Sequence, residues 1–195
     1  GLSAETVALL TDAGLRPLDV ESLAVRALEE DVDGGVDVTT VATVPMEQRG
    51  RLALVARGGG VVAGLVVARA IFEVVCGDDM TCDVSVEEGS LVELDTELMA
   101  VTSSTHNLLR AERPALNAVS HLSGIATATR AWVAAIADTD ASVRDTRKTT
   151  PGLRGVEKYA VRVGGGVNHR MNLADAALVK DNHVEALGGV GEAFR

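Results

Sequence analysis

The order of elements across residues 141–194 constrains this chain more than any other feature. Ala141–Asp145 reads as a short strand, a basic loop follows, and Gly155–Val163 has the pattern of a helix. Gly164-Gly165-Gly166 is a turn, Ala176–Val179 a second strand and Val184–Phe194 a second helix. Strand and helix alternating in this way build βα units on a parallel sheet. In such folds, binding sites lie beyond the carboxyl ends of the strands.

The charge of this region supports a site there. Between Arg144 and Lys180 lie eight basic side chains (Arg144, Arg147, Lys148, Arg154, Lys158, Arg162, Arg170, Lys180) and three acidic ones (Asp145, Glu157, Asp175), a net of +5. The whole chain has 18 basic and 28 acidic residues, so the remainder, with ten and 25, carries −15. All three lysines fall inside the window. A local positive field in a negative body suits a small, multiply charged anion. The net charge of −10 argues against nucleic acid as the main partner, and one Trp, one Tyr and two Phe leave little for base stacking.

With 195 residues and 47% apolar content, the chain can bury one large or two small cores, built mainly of Ala, Val and Leu. No apolar run reaches membrane-spanning length. The acidic start, GLSAETVALLTDAGL, has no basic region of a secretory leader. Cys76 and Cys82 have no further metal-ligand partners around them and read as free thiols of a reducing, cytoplasmic compartment.

Residues 1–113 read as an α+β layer. Glu21–Glu30 is an amphipathic helix, and Asp31–Asp37 an acidic loop without the spacing of a calcium site. Arg51–Arg57 is a strand, Leu65–Val75 a helix between Gly64 and Gly77, and Thr81–Val86, Leu91–Val92 and Leu98–Val101 are further strands. His106–Arg113 is helical, Pro114 either ends that helix or starts a new one at the first-turn position, and a long helix, Ala115–Ala137, follows. The change of pattern places a domain boundary at Arg113/Pro114, giving domains 1–113 and 114–195.

Thr146-Arg147-Lys148 leaves the end of the first expected strand, and Lys180 ends the second, with Asp181-Asn182-His183 after it. Adjacent strands lie about 5 Å apart, so Lys148 and Lys180 are expected to face one cavity. His169-Arg170 leads into that second strand. Arginine forks pair with carboxylates and phosphates bidentately, whereas lysines act as mobile point charges. Singly, each of these features is ordinary surface charge; on consecutive strand ends they describe a polyanion site.

The blocks DTRKTTPGLRGVEKYAVRVGGGVNHR and DAALVKDNH resemble the quinolinate phosphoribosyltransferases. AERPALNAVSHLSGIATAT is similar to that family's helix at the domain junction, and DVTT and VEEGSLVE to its N-terminal domain. The resemblance implies an N-terminal α/β sandwich followed by an open α/β barrel, of which this chain holds the first part. It implies transfer of phosphoribose from 5-phosphoribosyl 1-pyrophosphate to quinolinate with Mg²⁺, loss of carbon dioxide and formation of nicotinate mononucleotide for NAD. By motif match, Arg147, His169 and Arg170 would bind the two carboxylates with Thr146 beside them. Lys148 and Lys180 would face the donor and its leaving pyrophosphate. Arg113 would reach the site of a partner subunit in a homodimer. The family's acidic metal residues are expected beyond Arg195, which reads as a truncation, and Asp175 and Asp181 are weak substitutes.

A nicotinate-type phosphoribosyltransferase and the molybdenum-transport-associated relative of the family are the nearest alternatives. Four convergent groups (Arg113, Arg147, His169, Arg170) favour a dicarboxylate over a monocarboxylate. A lipoyl-type carrier needs a lysine on the hairpin near Glu87–Ser90, where the chain has none. A piece that dimerises without turnover is the reading of another class.

Overall fold

A computed structural model describes residues 1–195. The chain opens with helix α1 (Ala4–Asp12), where the Ser3 side chain accepts from the Thr6 amide and caps the first turn. Helix α2 (Pro17–Val32) begins on proline, whose fixed φ suits a first helical position. Its buried stripe is Val20, Ala24 and Leu28. The expected Glu21–Glu30 helix is thus longer at both ends. The acidic loop is shorter than expected, because α2 runs on to Val32; its last residue, Asp37, caps a further helix, α3 (Val38–Thr43), by accepting from the Thr40 amide at 3.0 Å.

Strand β1 (Arg49–Val55) precedes a two-residue strand, β2 (Gly60–Val61), and helix α4 (Leu65–Cys76), which lies between Gly64 and Gly77 as expected. Strands β3 (Thr81–Val84), β4 (Leu91–Val92) and β5 (Glu97–Ser104) follow. β5 is the centre of an antiparallel sheet, ordered β1-β5-β3, with Leu52 opposite Val101 and Cys82 on its other side. A second small sheet pairs β2 with β4. Leu98, Met99, Ala100 and Val101 are all buried, so β5 is covered on both faces.

Helix α5 (Thr105–Ala135) runs unbroken for 31 residues with Pro114 inside it. The expected break does not occur. Proline costs a helix interior about 3 kcal/mol, yet Ala111, Pro114 and Ala115 are all buried, and that packing holds the helix together through the missing N–H. Ala111, Ala115, Leu122 and Ala126 form a narrow stripe that lets neighbours come close: a Cβ on Gly64, ahead of α4, would sit 2.7 Å from Leu122.

Helix α6 (Arg154–Val163) packs on α5. Val156, Tyr159 and Ala160 belong to the same buried cluster as Leu10, Phe72 and Met99, so one core runs through both parts of the chain. The parallel sheet expected after residue 140 is reduced to one parallel bridge, Arg144 to Val167. Ala176–Val179 forms no strand, since no neighbouring strand lies beside it to take its backbone groups. The expected last helix is two short ones, α7 (Asp181–Leu187) and α8 (Val190–Ala193), parted by Gly188 in the left-handed region. No helix is long and apolar enough to cross a membrane.

Candidate functional site

The single parallel bridge brings the two basic segments together. Asp145 N–H donates to Val167 O at 3.1 Å, and Val167 N–H to Val143 O at 2.8 Å. Residues 145–148 and 168–170 therefore leave the bridge side by side. Asp145 then ties them. Its carboxylate accepts from the Lys158 ammonium on α6, from Asn168 Nδ2 at 2.6 Å and from the His169 amide at 2.6 Å. Asn168 is held further by Lys158 O, at 2.9 Å, and by Arg162. Asp145 and Lys158 are almost wholly buried, at 7% and 1% side-chain exposure.

This clamp changes the charge count that the sequence suggested. Lys158 is spent on Asp145. Arg162 donates to Asn168 and to Ala13 O, and its guanidinium lies 5.8 Å from the Tyr159 ring centre. Arg154 braces Thr149 and Met171 O. Lys158 and Arg162 are thus spent on the fold and Arg154 is partly so, and the set facing the Lys148 cleft is smaller than the window implied.

Arg147 Nε, His169 Nδ1 and Arg170 Nε are buried and have no hydrogen-bond partner. All three belong to the expected carboxylate-binding set. Buried polar atoms are rarely left unpaired, and three at neighbouring positions call for acceptors brought by a ligand. Arg170 is steadied through Nη1, which donates to Ala176 O.

Thr146 and Lys148 open onto a cleft of about 330 Å³, together with His121, Thr150, Glu157 and Lys158. The Thr146 hydroxyl accepts from the Lys148 amide at 2.9 Å and turns the loop. Glu157 also lines the cleft. It accepts from Thr150 N–H at 3.1 Å and lies 3.0 Å from His121 Nε2. Burial pushes the Glu157 carboxyl up, but the hydrogen bonds from Thr150 and His121 outweigh it and hold the group below its ordinary range.

Lys180 is exposed at the start of α7 and does not line the cleft that holds Lys148, against expectation. Without the Ala176–Val179 strand, nothing in the chain aims it there. Arg113 is exposed on α5 and does not line this cleft. No group of three or more His, Cys, Asp or Glu side chains is placed to hold a metal. Asp175 is occupied by the Met171 and Asn172 amides, and Asp181 accepts from Asn182 N–H. The acidic residues present do not fit a resident Mg²⁺. Cys76 and Cys82 are free.

Sequence reasoning missed Asp145, Lys158, Asn168, Glu157 and His121 as the frame of the site. The one available signal was Asp145 itself, a lone acid embedded in a basic run.

Two domain models of one family match the chain: "Quinolinate phosphoribosyl transferase, N-terminal domain" over residues 37–123, and its C-terminal domain over 125–195. The nicotinate-nucleotide pyrophosphorylase (carboxylating) of Mycobacterium leprae is 51% identical over 171 residues, covering 87% of this chain and 60% of that protein. A probable enzyme of the same name from Synechocystis is 46% identical, covering 86% and 56%. The crystal structure of NadC from Streptococcus pyogenes superposes with a TM-score of 0.85 at 41% identity, over 92% of this chain and 63% of that one. The chain therefore spans about three fifths of the length of these relatives.

Proposed function

The chain belongs to the quinolinate phosphoribosyltransferase family, and from that membership we propose that it carries the pyridine-dicarboxylate site of an enzyme of NAD biosynthesis. The reaction joins quinolinate to 5-phosphoribosyl 1-pyrophosphate and yields nicotinate mononucleotide, carbon dioxide and pyrophosphate. One observation supports this reading above the others: the three buried, partnerless side-chain nitrogens of Arg147, His169 and Arg170, of which the two guanidinium groups can only donate. A dicarboxylate supplies the acceptors they lack.

In the proposed chemistry, the ring nitrogen attacks the ribose anomeric carbon as its bond to pyrophosphate breaks. Pyrophosphate departs with the electron pair. The C2 carboxylate then leaves as carbon dioxide, and the ring carbon takes a proton from solvent. The attacking nitrogen has no proton to lose, so the site needs cations rather than an acid–base pair. Arg147, Arg170 and His169 orient the carboxylates, Thr146 shapes the loop, and Lys148 meets the charge of the departing pyrophosphate. Mg²⁺ enters this reading as a companion of the donor's phosphates, in keeping with its habit of binding through substrate oxygens. Arg113, exposed on α5, completes a partner subunit's site in a homodimer. The division into domains 1–113 and 114–195 and a cytoplasmic location are parts of the same proposal.

Calorimetric titration with quinolinate and with nicotinate tests it. Quinolinate is expected to bind at least roughly tenfold tighter, the worth of about one charge-assisted contact. Equal affinities would favour a monocarboxylate substrate and sink the dicarboxylate assignment. Incubation of quinolinate with the donor and Mg²⁺, read by mass for nicotinate mononucleotide, then tests turnover.

A further inference from the structure

A larger cleft, of about 640 Å³, lies between α2 and the loop that enters α6. Its size suits a small-molecule ligand. Arg16 and Arg26 line it from the α2 side, and Arg154 from the α6 side, against one carboxylate, Asp19. Such a concentration of guanidinium groups is out of keeping with a chain of net charge −10.

The charges there are little compensated. Arg16 meets Asp19 only at 3.4 Å, with both side chains mostly exposed. Arg154 is held by the Thr149 hydroxyl and Met171 O, which are neutral acceptors, so its guanidinium is fixed in place with its charge unmatched. The first turn of α6 has no side-chain cap, and its residues Arg154, Gly155 and Val156 line the same cleft. Their free amides add to the positive field, which Glu157 in the same turn, turned toward the Lys148 cleft, offsets only in part. A Cβ built on Gly152 or Gly155 meets nothing within 4 Å, so a ligand can approach this backbone closely. Leu15, Val20 and Leu23 supply an apolar wall.

We propose that this cleft is a second anion site, taking a phosphate monoester that carries an apolar body. The phosphate lies among the three arginines and the start of α6, and the body lies against the wall from α2. Thr149 and Thr150 line both this cleft and the one holding Lys148. An occupant therefore steadies the loop that presents Lys148. The proposal rests on these residues and not on the activity proposed above.

The test is amide NMR of the chain titrated with phenyl phosphate at low salt. Shifts are expected at Gly152, Gly155 and Val156 and along α2. The double variant Arg16→Glu, Arg26→Glu should weaken binding roughly tenfold or more, since two favourable contacts become repulsive. Lys148→Ala should leave the affinity unchanged. Should the double variant lose its native spectrum, Arg26→Gln gives the same comparison with less perturbation. The proposal is overturned if the wild-type chain shows no shifts at millimolar probe. It is equally overturned if the shifts centre on Lys148 and His169, persist in the arginine variants and vanish in Lys148→Ala.

Discussion

Replacing Asp145 by Asn removes one charge from a pair that is almost entirely buried, Lys158 at 1% exposure and Asp145 at 7%. The ammonium then stays buried with no counter-charge. Breaking such a pair from one side costs about 3–5 kcal/mol. That is a large share of the roughly 5–15 kcal/mol that holds a domain folded. With a urea dependence of about 2 kcal/mol per molar, the unfolding midpoint should fall by roughly 1.5–2.5 M. The companion variant, Lys158→Met, removes the opposite partner and strands the carboxylate, although Asn168 and the His169 amide still bond to it. It should cost less. The double variant has no orphaned charge and should lose far less than the two single losses combined, because an apolar side chain fills the buried space. Urea melts of all four proteins make the cycle. Additive losses, or a drop below about 1 kcal/mol for Asp145→Asn, would refute the view that this pair is an interdependent clamp. Hydrogen exchange at the His169 amide gives a second readout: it should quicken in Asp145→Asn, since that N–H exchanges a charged carboxylate acceptor for a weaker, neutral amide oxygen.

Arg147→Met should leave thermal stability near wild type, because it removes a buried Nε that has no partner, while quinolinate binding falls at least roughly tenfold; Arg170→Met should lower binding likewise but also lose the Nη1 bond to Ala176 O; calorimetry and thermal melts on the same samples separate the two effects. Glu157 is depressed in the folded state, so its contribution to stability is full above the ordinary value of 4.5 and is lost as pH falls through the depressed value; Glu157→Gln should flatten that acid limb of the melting temperature against pH. Gly164→Ala should destabilise by about 1–3 kcal/mol by overpacking, because its Cβ would lie 2.5 Å from Ala126 O and 2.7 Å from Thr129 Cβ; wild-type stability in a denaturant melt would contradict the close approach of α6 to α5.

The N-terminal elements were legible because their signals are local. Alternation marked β1, and the glycines at 64 and 77 bounded α4 within a residue. The helix Ala4–Asp12 carried a serine cap, and Asp37 a cap for α3, and neither was among the expectations from sequence. Pro114 misled, since its local penalty is real and only the surrounding packing outweighs it. The strand expected at Ala176–Val179 failed for the opposite reason: its composition is suitable, but a parallel strand exists only with neighbours to bond to.

The sequence by itself determined where the chemistry is concentrated. Charge type and chain position are properties of the covalent chain, so the basic run with its arginines, histidine and lysines was visible without coordinates. It also carried the family, because RDTRKT and GGGVNHR are contiguous. Which cations face a ligand was decided only by the tertiary structure. Lys158 and Lys148 are equal in sequence and line the same cleft, yet one is buried against Asp145 and the other is exposed. That difference arises from the bridge between Arg144 and Val167 and the packing of α6 on α5. Burial is a property of neighbours distant in the chain, and no local pattern records it.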